Sequence, residues 1–495
     1  MKAFLSFLYG FTLARAILAS ATIPGYFKSM PISRRQLNVI QVQQELGGQV
    51  SNTTSIFGPG DGRYTEATTR WNLFAVPKIQ IVIEPGQEAD VATIVMIKVK
   101  YCNENSLEFL AINRGHGDTQ SLGSFHGIQI NMKSLRTIDI QPDGKSAWFG
   151  GGVYDGQALN YLWGEGYVTT TGACLYGMIS DNFLQLNVVL ANGTSIRVNK
   201  DNHADLLWGM KGAGHNFGIV TSFEMNIFPR GPDTWHYHNY IWRGDKLEDI
   251  FNALNVFHGN GSTPVNMTIN FGNFFMNTTI TDKEPVIFWT FAYRGTAEEA
   301  EEHLAPFNAI EAVYEEFDDV PFPGISVAQG DDVDGFICQD NQVRITATAG
   351  LQVYNVTAER LIYDGFKRRA TTDPVLAAGG GILHEGYSTE AVTAQNPDDS
   401  SYPFRADHHL MLFQTIVPQN NSRVEEAAWE WAKEVRDQWN EGQPGRPINA
   451  YVNYANGFEP LEQMYGHEAW RLERLRDLKA KYDPFNRFRY YNPIV

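Results

Sequence analysis

The sequence predicts an α+β protein with two domains, and three observations support that prediction. The chain has 495 residues, which is more than a single hydrophobic core usually organises. From residue 78 onward, short β-branched segments alternate with segments of helical periodicity. After the segment 230–234 the strands become longer, so we place a domain boundary there.

The first domain is expected to start its regular structure with a strand, a helix and a second strand. KIQIVIE (78–84) is a β-branched strand that Pro85 ends. EADVATIVMIKVKYC (88–102) carries apolar residues at helical spacing, and LEFLAIN (107–113) reads as the next strand. That strand leads directly into the loop NRGHG (113–117), which holds a histidine between two glycines.

Further short strands, one helix and a hairpin complete the first domain. The strands are IQINM (128–132), RTIDIQP (136–142) and SAWFGGGVY (146–154), and the helix is DGQALNYLWGEG (155–166). LQLNVVLANGTSIRVN (184–199) is predicted to be a hairpin. Its turn, Asn192-Gly193, has the residues that favour a type I′ turn, in which both central positions have positive φ.

The second domain combines longer strands with helices. TINFGNFFMN (268–277) and PVIFWTFAYRG (285–295) read as strands, and TAEEAEEHLAPF (296–307) reads as a helix. A later helix shows a capping box of Ser422 and Glu425, and its tryptophans are expected in the core. A charged C-terminal helix should end at Asp483-Pro484.

Charge and composition exclude several classes of partner. The formal net charge is -17 and no long run of Lys or Arg occurs, so nucleic-acid phosphates and anionic membranes would be repelled. A hydrophobic fraction of 43% with 19% charged residues is typical of a folded globular protein. Aromatic residues form 13% of the chain, enough to line a pocket for a flat organic ligand.

Residues 1–21 have the layout of a secretory signal peptide. Lys2 precedes an apolar stretch, and Ala19-Ser20-Ala21 matches a cleavage site. Because Arg15 interrupts that stretch, an amphipathic helix kept in the mature chain is the alternative. Seven sequons favour a secreted protein with N-linked glycans: Asn52, Asn192, Asn260, Asn266, Asn277, Asn355 and Asn420.

No later segment is apolar enough to cross a membrane. The three cysteines allow at most one disulfide.

The familiar nucleotide and metal motifs do not occur in the sequence. It has no GxxxxGK[ST] loop and no GxGxxG that opens a helix after a strand. HExxH and CxxC patterns are also missing, so we predict no metal site.

Four glycine-bearing segments are candidates for ligand binding. They are NRGHG (113–117), TTTGACLYGMISDN (169–182), KGAGHNFGIVTSFEM (211–225) and NAYVNYANGFEPLEQMYG (449–466). Each is a weak signal alone, because glycine-rich turns are common, and His116 in isolation is best interpreted as a solvated loop histidine.

Taken in order, these segments resemble the FAD-linked oxidases of the vanillyl-alcohol oxidase (PCMH-type) fold. VIEPGQEADVATIVMIKVKYCNENSLEFLAINRGHG (82–117) is similar to the family's first cofactor segment. The segments 179–198 and 204–229 are similar to its second and third cofactor segments. YVNYANGFEP (451–460) and YDPFNRFRYYNPI (482–494) resemble the C-terminal element of the berberine-bridge-enzyme-like branch, in its fungal type.

The resemblance implies a two-domain PCMH-type FAD-binding fold. Residues 40–232 would form the FAD-binding domain and residues 233–448 a substrate-binding domain of antiparallel sheet and helices. Residues 449–495 would form a berberine-bridge-like segment that returns to the FAD domain.

The resemblance also implies that FAD is the cofactor and that His116 holds it covalently, through the methyl group of the flavin's dimethylbenzene ring. The backbone N–H groups of residues 114–117 would face the pyrophosphate. Cys174 matches a cysteine that bonds the flavin in some relatives, and a free or buried thiol is the alternative. The other matching positions are Arg114, Gly115, Gly117, Asp181, Asn182, Gly214, Asn216, Phe217, Gly218, Val220 and Asn453.

One departure from the family concerns the loop after Cys174. Relatives carry a glycine-rich loop here, which wraps the pyrophosphate and approaches the flavin. In this chain GACL (172–175) runs almost directly into YGMISDN (176–182), so most of that loop is missing. Two explanations stay open: the gene model has lost coding sequence, or flavin binding is altered and activity is low or lost.

The catalytic base is expected among tyrosines of the C-terminal element. An oxidase needs a group that takes the proton from the substrate as hydride leaves. Gln414 lies where some relatives present a carboxylate, and an amide cannot be a base. Tyr451 or Tyr454 is the preferred candidate, with simple packing as the alternative for both, and His408 and His409 are less favoured.

The predicted function is a secreted FAD-dependent oxidase. It would take hydride from an alcohol, amine or activated C–H of a small organic molecule, such as a secondary metabolite, and pass the electrons to O2. Two alternatives stay open: a carbohydrate oxidase of the same fold, and a redox-inactive cyclase or binding protein, which the missing loop permits.

Overall fold

The computed structural model describes residues 38–105, 108–172, 177–259, 263–330, 332, 334–335 and 338–495, without the side chains of 97–105. The predicted signal peptide, the sequon at Asn260 and the predicted flavin ligand Cys174 lie outside the described residues. Within them, no helix is both long and apolar enough to cross a membrane.

Residues before 230 form short strands and helices in the predicted alternation. They are α1 (Val39–Leu46), β1 (Ser55–Phe57), α2 (Tyr64–Thr68), β2 (Lys78–Glu84), α3 (Glu88–Asn105), β3 (Glu108–Ile112), β4 (His126–Asn131), β5 (Ile138–Ile140), β6 (Ser146–Gly150), α4 (Asp155–Gly164), β7 (Tyr167–Val168), β8 (Phe183–Val189), β9 (Ser195–Asn199), α5 (Ala204–Ala213), β10 (Ile219–Asn226) and β11 (Phe228–Pro229).

The remaining residues form longer strands and helices. They are β12 (Trp235–Trp242), α6 (Leu247–Phe257), β13 (Met267–Phe275), β14 (Val286–Tyr293), α7 (Ala297–Asn308), β15 (Tyr314–Val320), α8 (Phe322–Gln329), β16 (Val343–Leu351), α9 (Val356–Thr372), α10 (Pro374–Ala378), β17 (Gly380–Gly386), α11 (Glu390–Thr393), β18 (His409–Val417), α12 (Ser422–Glu441), α13 (Leu461–Tyr465) and α14 (Ala469–Tyr482).

Two larger sheets lie in the first part of the chain, besides the two-stranded pair β7-β11. The first has the order β1-β2-β4-β3 and is parallel apart from β1. Its β-branched strands are buried against α3, as parallel strands usually are. The second is antiparallel with the order β5-β6-β10-β8-β9. The two sheets and the segments between them provide the NRGHG loop and the GAGHNFG segment.

The β8–β9 hairpin is confirmed, but its predicted type I′ turn is wrong. Val189 pairs with Ser195, and the intervening loop closes with a hydrogen bond from Leu190 N to Thr194 O. Gly193 has a φ of 84°, whereas Asn192 is not among the residues with positive φ. The loop has five residues, so only one left-handed position is needed and glycine fills it.

The third sheet is antiparallel, with the order β15-β12-β14-β13-β17-β18-β16. Helices α6, α7, α9 and α12 cover one face of it and bury the largest core of the described residues. Trp431 and Trp439 of α12 are 0% and 1% exposed, which confirms the prediction that these tryptophans are core residues. The opposite face carries Glu385 and faces the first part of the chain.

The C-terminal segment packs back on the first part of the chain. The buried Lys479 ammonium on α14 donates to the carbonyls of Asn216 and Phe488 and pairs with Asp483 at 2.8 Å. Because Asp483 also accepts from backbone N–H groups of the tail, this pair fixes where α14 ends. The predicted helix end at 483–484 is therefore confirmed.

The predicted capping box of α12 is wrong, since Asn421 is its N-cap and accepts from Val424 N.

Candidate active site

The NRGHG loop lines a cavity of about 410 Å³. Strand β3 forms an apolar wall through residues 109–112, and the C-terminal tail closes the other side with residues 487–491. Three arginines line the cavity, and none of its described lining residues is Asp or Glu. The site therefore combines apolar walls with positive charge.

His116 presents its imidazole to this cavity. The ring lies edge-on to Trp71, with centroids 4.5 Å apart, and the guanidinium of Arg344 lies 4.2 Å from the Trp71 ring. Although part of the His116 side chain is exposed, partial desolvation of the ring, followed by the positive charges of Arg344 and Arg114, lowers the pKa of His116 below its usual value. The neutral imidazole, which has a free nitrogen lone pair, is thus the favoured form near neutral pH.

Asp118 anchors the segment that follows His116. Its buried carboxylate accepts hydrogen bonds from the Asn72 amide and from the Thr346 hydroxyl, the latter at 2.8 Å. Thr346 belongs to β16, so Asp118 joins the His116 loop to the seven-stranded sheet. Burial raises the pKa of Asp118 from 3.8 to about 6, because the hydrogen bonds from Thr346 and Asn72 offset the desolvation only in part.

We expect Asp118→Asn to stabilise the protein at about pH 7.5 by up to about 3 kcal/mol, and much less at about pH 4.5. The native carboxyl binds its proton more tightly than the unfolded one, so wild-type stability falls as pH rises from the unfolded pKa of 3.8 to the folded pKa of about 6. An amide keeps an acceptor for Asn72 and a donor for Thr346 without that charge. The free energy of unfolding of both proteins, measured with denaturant at the two pH values, checks this prediction. An equal change in that free energy at both pH values would contradict it.

A second cavity of about 510 Å³ shares His215 and Gly218 with the first. Its wall is mostly apolar and includes Phe183, Leu186 and Met210. His215 bonds the Tyr465 hydroxyl at 2.9 Å through Nε2. Burial and then the charge of Lys479 lower the pKa of His215 to about 4, so it stays neutral. The two cavities thus adjoin at His215 and Gly218.

Of the two C-terminal tyrosines, Tyr451 belongs to the lining of the second cavity, whereas Tyr454 lies next to it and outside that lining. The two ring centroids lie 5.2 Å apart. The Tyr454 hydroxyl donates to the two carboxylate oxygens of Glu385, at 2.8 and 2.9 Å. Tyr387 donates to the same carboxylate at 2.6 Å. Burial raises the pKa of Glu385, and the hydrogen bonds from the two tyrosines oppose that rise.

The segment 211–220 supplies both lining and supporting residues. Gly214 and Val220 line the second cavity, and Gly218 lines both. Asn216 and Phe217 line neither of these two cavities and are completely buried. The Asn216 amide instead holds the C-terminal tail, since its Oδ1 accepts from Ile494 N at 3.0 Å.

Asp181 and Asn182 support the second cavity from behind. Asp181 pairs with the buried Arg405 at 2.6 Å, which connects the first part of the chain to the segment before β18. The Asn182 amide donates to Thr170 Oγ1 at 2.9 Å and to the Met178 carbonyl at 3.1 Å. Their roles as cofactor-binding residues stay predictions.

The other predicted residues of this region have contacts of their own. The Asn453 amide donates to the Tyr451 hydroxyl at 2.9 Å, so these two predicted residues contact each other. His409 stacks on Tyr354, with ring centroids 4.1 Å apart, on the helix-covered face of the sheet. His408 bonds the Gln352 carbonyl at 3.1 Å. Gln414 is buried on β18.

Sequence analysis did not single out Glu385, His215 or Tyr491. Glu385 is a carboxylate within the apolar strand GGILHEG (380–386), which is a usable signal. His215 lies inside the glycine segment that was identified. Tyr491 packs over Gly117 and next to His215, a position that only the folded tail reveals.

Comparison with known proteins identifies the family. An FAD-binding-domain model matches residues 79–174, and a berberine and berberine-like model matches residues 450–495. An FAD-linked oxidoreductase of Penicillium roqueforti is 47% identical over 515 residues, covering 99% of each chain. One from Pestalotiopsis fici is 47% identical over 511 residues, covering 98% of this chain and 97% of the relative.

Solved structures show the same fold. Berberine bridge enzyme from Eschscholzia californica superposes with a TM-score of 0.73 at 15% identity, covering 92% of this chain and 99% of that one. Glucooligosaccharide oxidase from Acremonium strictum gives a TM-score of 0.72 at 18% identity, covering 92% and 98%. The fold is that of the PCMH-type FAD-binding oxidases. This chain belongs to the FAD-linked oxidoreductases, in the berberine-bridge-enzyme-like branch, which confirms the resemblance found in the sequence.

The described site fits FAD. Its glycine loop and arginines suit a diphosphate, and its second, apolar cavity suits a flat ring system. The residues that would hold the cofactor come from the NRGHG loop, the segment 214–220 and the C-terminal tail. The 515 positions aligned with the Penicillium relative exceed the 495 residues of this chain, so that relative contains residues that this chain lacks. If the loop after residue 174 is shortened in this chain, the relative must contain additional residues of this kind.

Proposed function

We propose that this oxidoreductase acts on an alcohol, amine or activated C–H group of a small organic molecule, with Tyr454 and Glu385 as the proton-accepting pair. FAD, when bound, accepts hydride from the substrate and passes electrons to O2. The observation that carries the proposal is the contact of the Tyr454 hydroxyl with both oxygens of Glu385, at 2.8 and 2.9 Å.

The pair suits proton removal from a substrate. A tyrosine hydroxyl is a poor base while it keeps its own proton, and a carboxylate can accept that proton. The substrate proton would pass to the Tyr454 oxygen as the phenolic proton passes to Glu385. Burial raises the pKa of Glu385 and so makes the carboxylate a better proton acceptor than an exposed one.

The sheet around Glu385 favours an apolar substrate. Glu385 lies directly opposite Phe271 on β13 and Leu410 on β18, and such opposed residues share one face of a sheet. Leu383 and Leu412 form the next pair on that face; Asn273 lies beside Leu383, and its side-chain oxygen already accepts from Ile382 N. Sugar hydroxyls need hydrogen-bond partners, which Leu and Phe side chains do not offer. The proposal therefore differs from the activity that the name of the Acremonium neighbour describes.

A substrate panel tests this preference. We expect kcat/KM for aromatic alcohols to exceed that for glucose- or chitin-derived oligosaccharides by about 100-fold or more, because the apolar face cannot satisfy sugar hydroxyls. Hydrogen peroxide release is the measurement, with each substrate at several concentrations. Faster turnover of an oligosaccharide would contradict the apolar assignment and leave the oxidase function intact.

A covalent link between His116 and FAD is part of the proposal. The name of the Acremonium structure describes a 6-S-cysteinyl, 8α-N1-histidyl FAD. A histidyl link here is supported by the place of His116 in the lining of the first cavity, and its lowered pKa keeps a nitrogen lone pair available. Absorbance of the purified protein before and after acid precipitation tests cofactor binding and attachment together. A colourless protein would refute the oxidase proposal.

Secretion and glycosylation complete the proposal. Four sequon asparagines are exposed in the structure: Asn52, Asn192, Asn266 and Asn420. Asn355 is a weaker acceptor, because its amide caps α9 and donates to the Gly442 carbonyl at 3.2 Å. We propose glycans at the exposed positions.

A further inference from the structure

Arg70 is a buried guanidinium without an anionic partner. It is 4% exposed, one of its N–H groups donates to Gln129 Oε1 at 2.6 Å, and its Nε is buried with no hydrogen-bond partner. Within the described part of the chain it forms no ion pair, and burial lowers its pKa to about 10. An unpaired buried cation destabilises a fold, so a missing anion is implied.

The guanidinium of Arg70 lies against the NRGHG loop. Gly115 has a φ of 72°, and a Cβ at this position would lie 2.8 Å from Nη1 of Arg70. Glycine suits the positive φ of residue 115, and any side chain there would have to displace the guanidinium of Arg70. Arg70 also lines the 410 Å³ cavity, together with the backbone of 113–117, Arg114 and Arg487. An anion in this cavity would meet backbone N–H groups and positive side chains at the same place.

We propose that Arg70 binds the diphosphate group of FAD. A guanidinium forms charge-assisted hydrogen bonds with phosphate oxygens, and burial strengthens them. Arg70 lies beneath Gly115 and lines the same cavity as the NRGHG loop, so the guanidinium and the loop can contact one diphosphate group together.

The test compares ligands with and without the diphosphate. In a His116→Ala background, which leaves the flavin exchangeable, Arg70→Gln is expected to weaken FAD and ADP binding by about 10- to 100-fold. Riboflavin, which lacks phosphate, should bind within about twofold of the parent. Flavin fluorescence titration measures FAD and riboflavin, and competition against FAD measures ADP and inorganic pyrophosphate. Arg63→Gln is the matched control, because Arg63 is exposed and pairs with Asp61.

A stability measurement separates binding from a structural role. The cofactor-free Arg70→Gln protein should melt at the same temperature as its parent or higher, since a buried unpaired charge is removed. Its rise in melting temperature on adding FAD should be smaller. The proposal would be overturned if the substitution weakened riboflavin binding and FAD binding equally, or if it left FAD binding unchanged. If Arg70→Gln does not fold, Arg70→Lys replaces it in the experiment. Because lysine keeps the charge, this variant should still bind ADP more tightly than adenosine. Loss of that preference would also overturn the proposal.

Discussion

Tyr454→Phe should lower kcat by about 100- to 10,000-fold with little change in protein stability. The substitution removes the oxygen that would receive the substrate proton and leaves the ring packed as before. Glu385→Gln should cause a loss of similar order, because an amide cannot accept the phenolic proton. Rapid-mixing measurement of flavin reduction by the best substrate of the panel reports this step directly, without contributions from product release or reoxidation.

Two further variants make this prediction specific. Tyr451→Phe should retain much more activity, since the Tyr451 hydroxyl contacts the amide of Asn453 and not Glu385. Tyr314→Phe, at an exposed position on β15, is the matched control for a lost phenol. If Tyr451→Phe is the slower of the two active-site variants, the base is Tyr451 and the proposed pair is incorrect. The limb of the pH–rate profile that reports the base should also disappear in Glu385→Gln.

His116→Ala should release all of the flavin on acid precipitation, whereas the wild-type protein should keep it in the pellet. Among the described residues, the His116 imidazole is the only group proposed to bond the flavin. Alanine offers no nucleophile in its place. Absorbance of the supernatant and in-gel flavin fluorescence are the measurements. We also expect slower hydride transfer, because a covalent link holds the cofactor in position.

A partly exposed histidine that lines neither of the two cavities provides the control for this experiment. His303 lies on α7, which packs on the seven-stranded sheet, and His303→Ala should keep acid-resistant flavin. Flavin that stays covalent in His116→Ala would move the link to another residue, of which Cys174 is the sequence candidate. Release of flavin from the wild type as well would show that the cofactor is bound only by non-covalent contacts.

Local patterns were sufficient to predict the elements that carry strong periodicity or a clear turn signal. The strand 78–84, the helix from residue 88 and the hairpin near residue 192 are confirmed, because each depends on periodicity or a turn signal within a few residues. The errors concern single hydrogen bonds. The N-cap of α12 is one residue earlier than predicted, and the turn at residue 192 has one positive φ and not two. Neighbouring Asn and Ser offer equivalent caps, so sequence cannot choose between them.

The candidate site could be predicted only in part. The NRGHG loop and the segment 214–220 were identifiable because glycine spacing is a local property. Their order along the chain then pointed to the family. Phe217 and Asn216 belong to the same motif, yet they are buried behind the cavity and not in its lining. A motif therefore identifies a segment, and packing decides which of its side chains reach the ligand.

The sequence by itself determined several of the strands and helices, the family and FAD as the cofactor, because these follow from short-range patterns and their order. Only the tertiary structure decided that Tyr454 meets Glu385, residues separated by 69 positions in the chain. It likewise placed Arg70 beneath Gly115 and brought Tyr491 of the C-terminal tail over Gly117. Contacts of this kind depend on strand register and on how the tail packs, and no local signal in the chain specifies either.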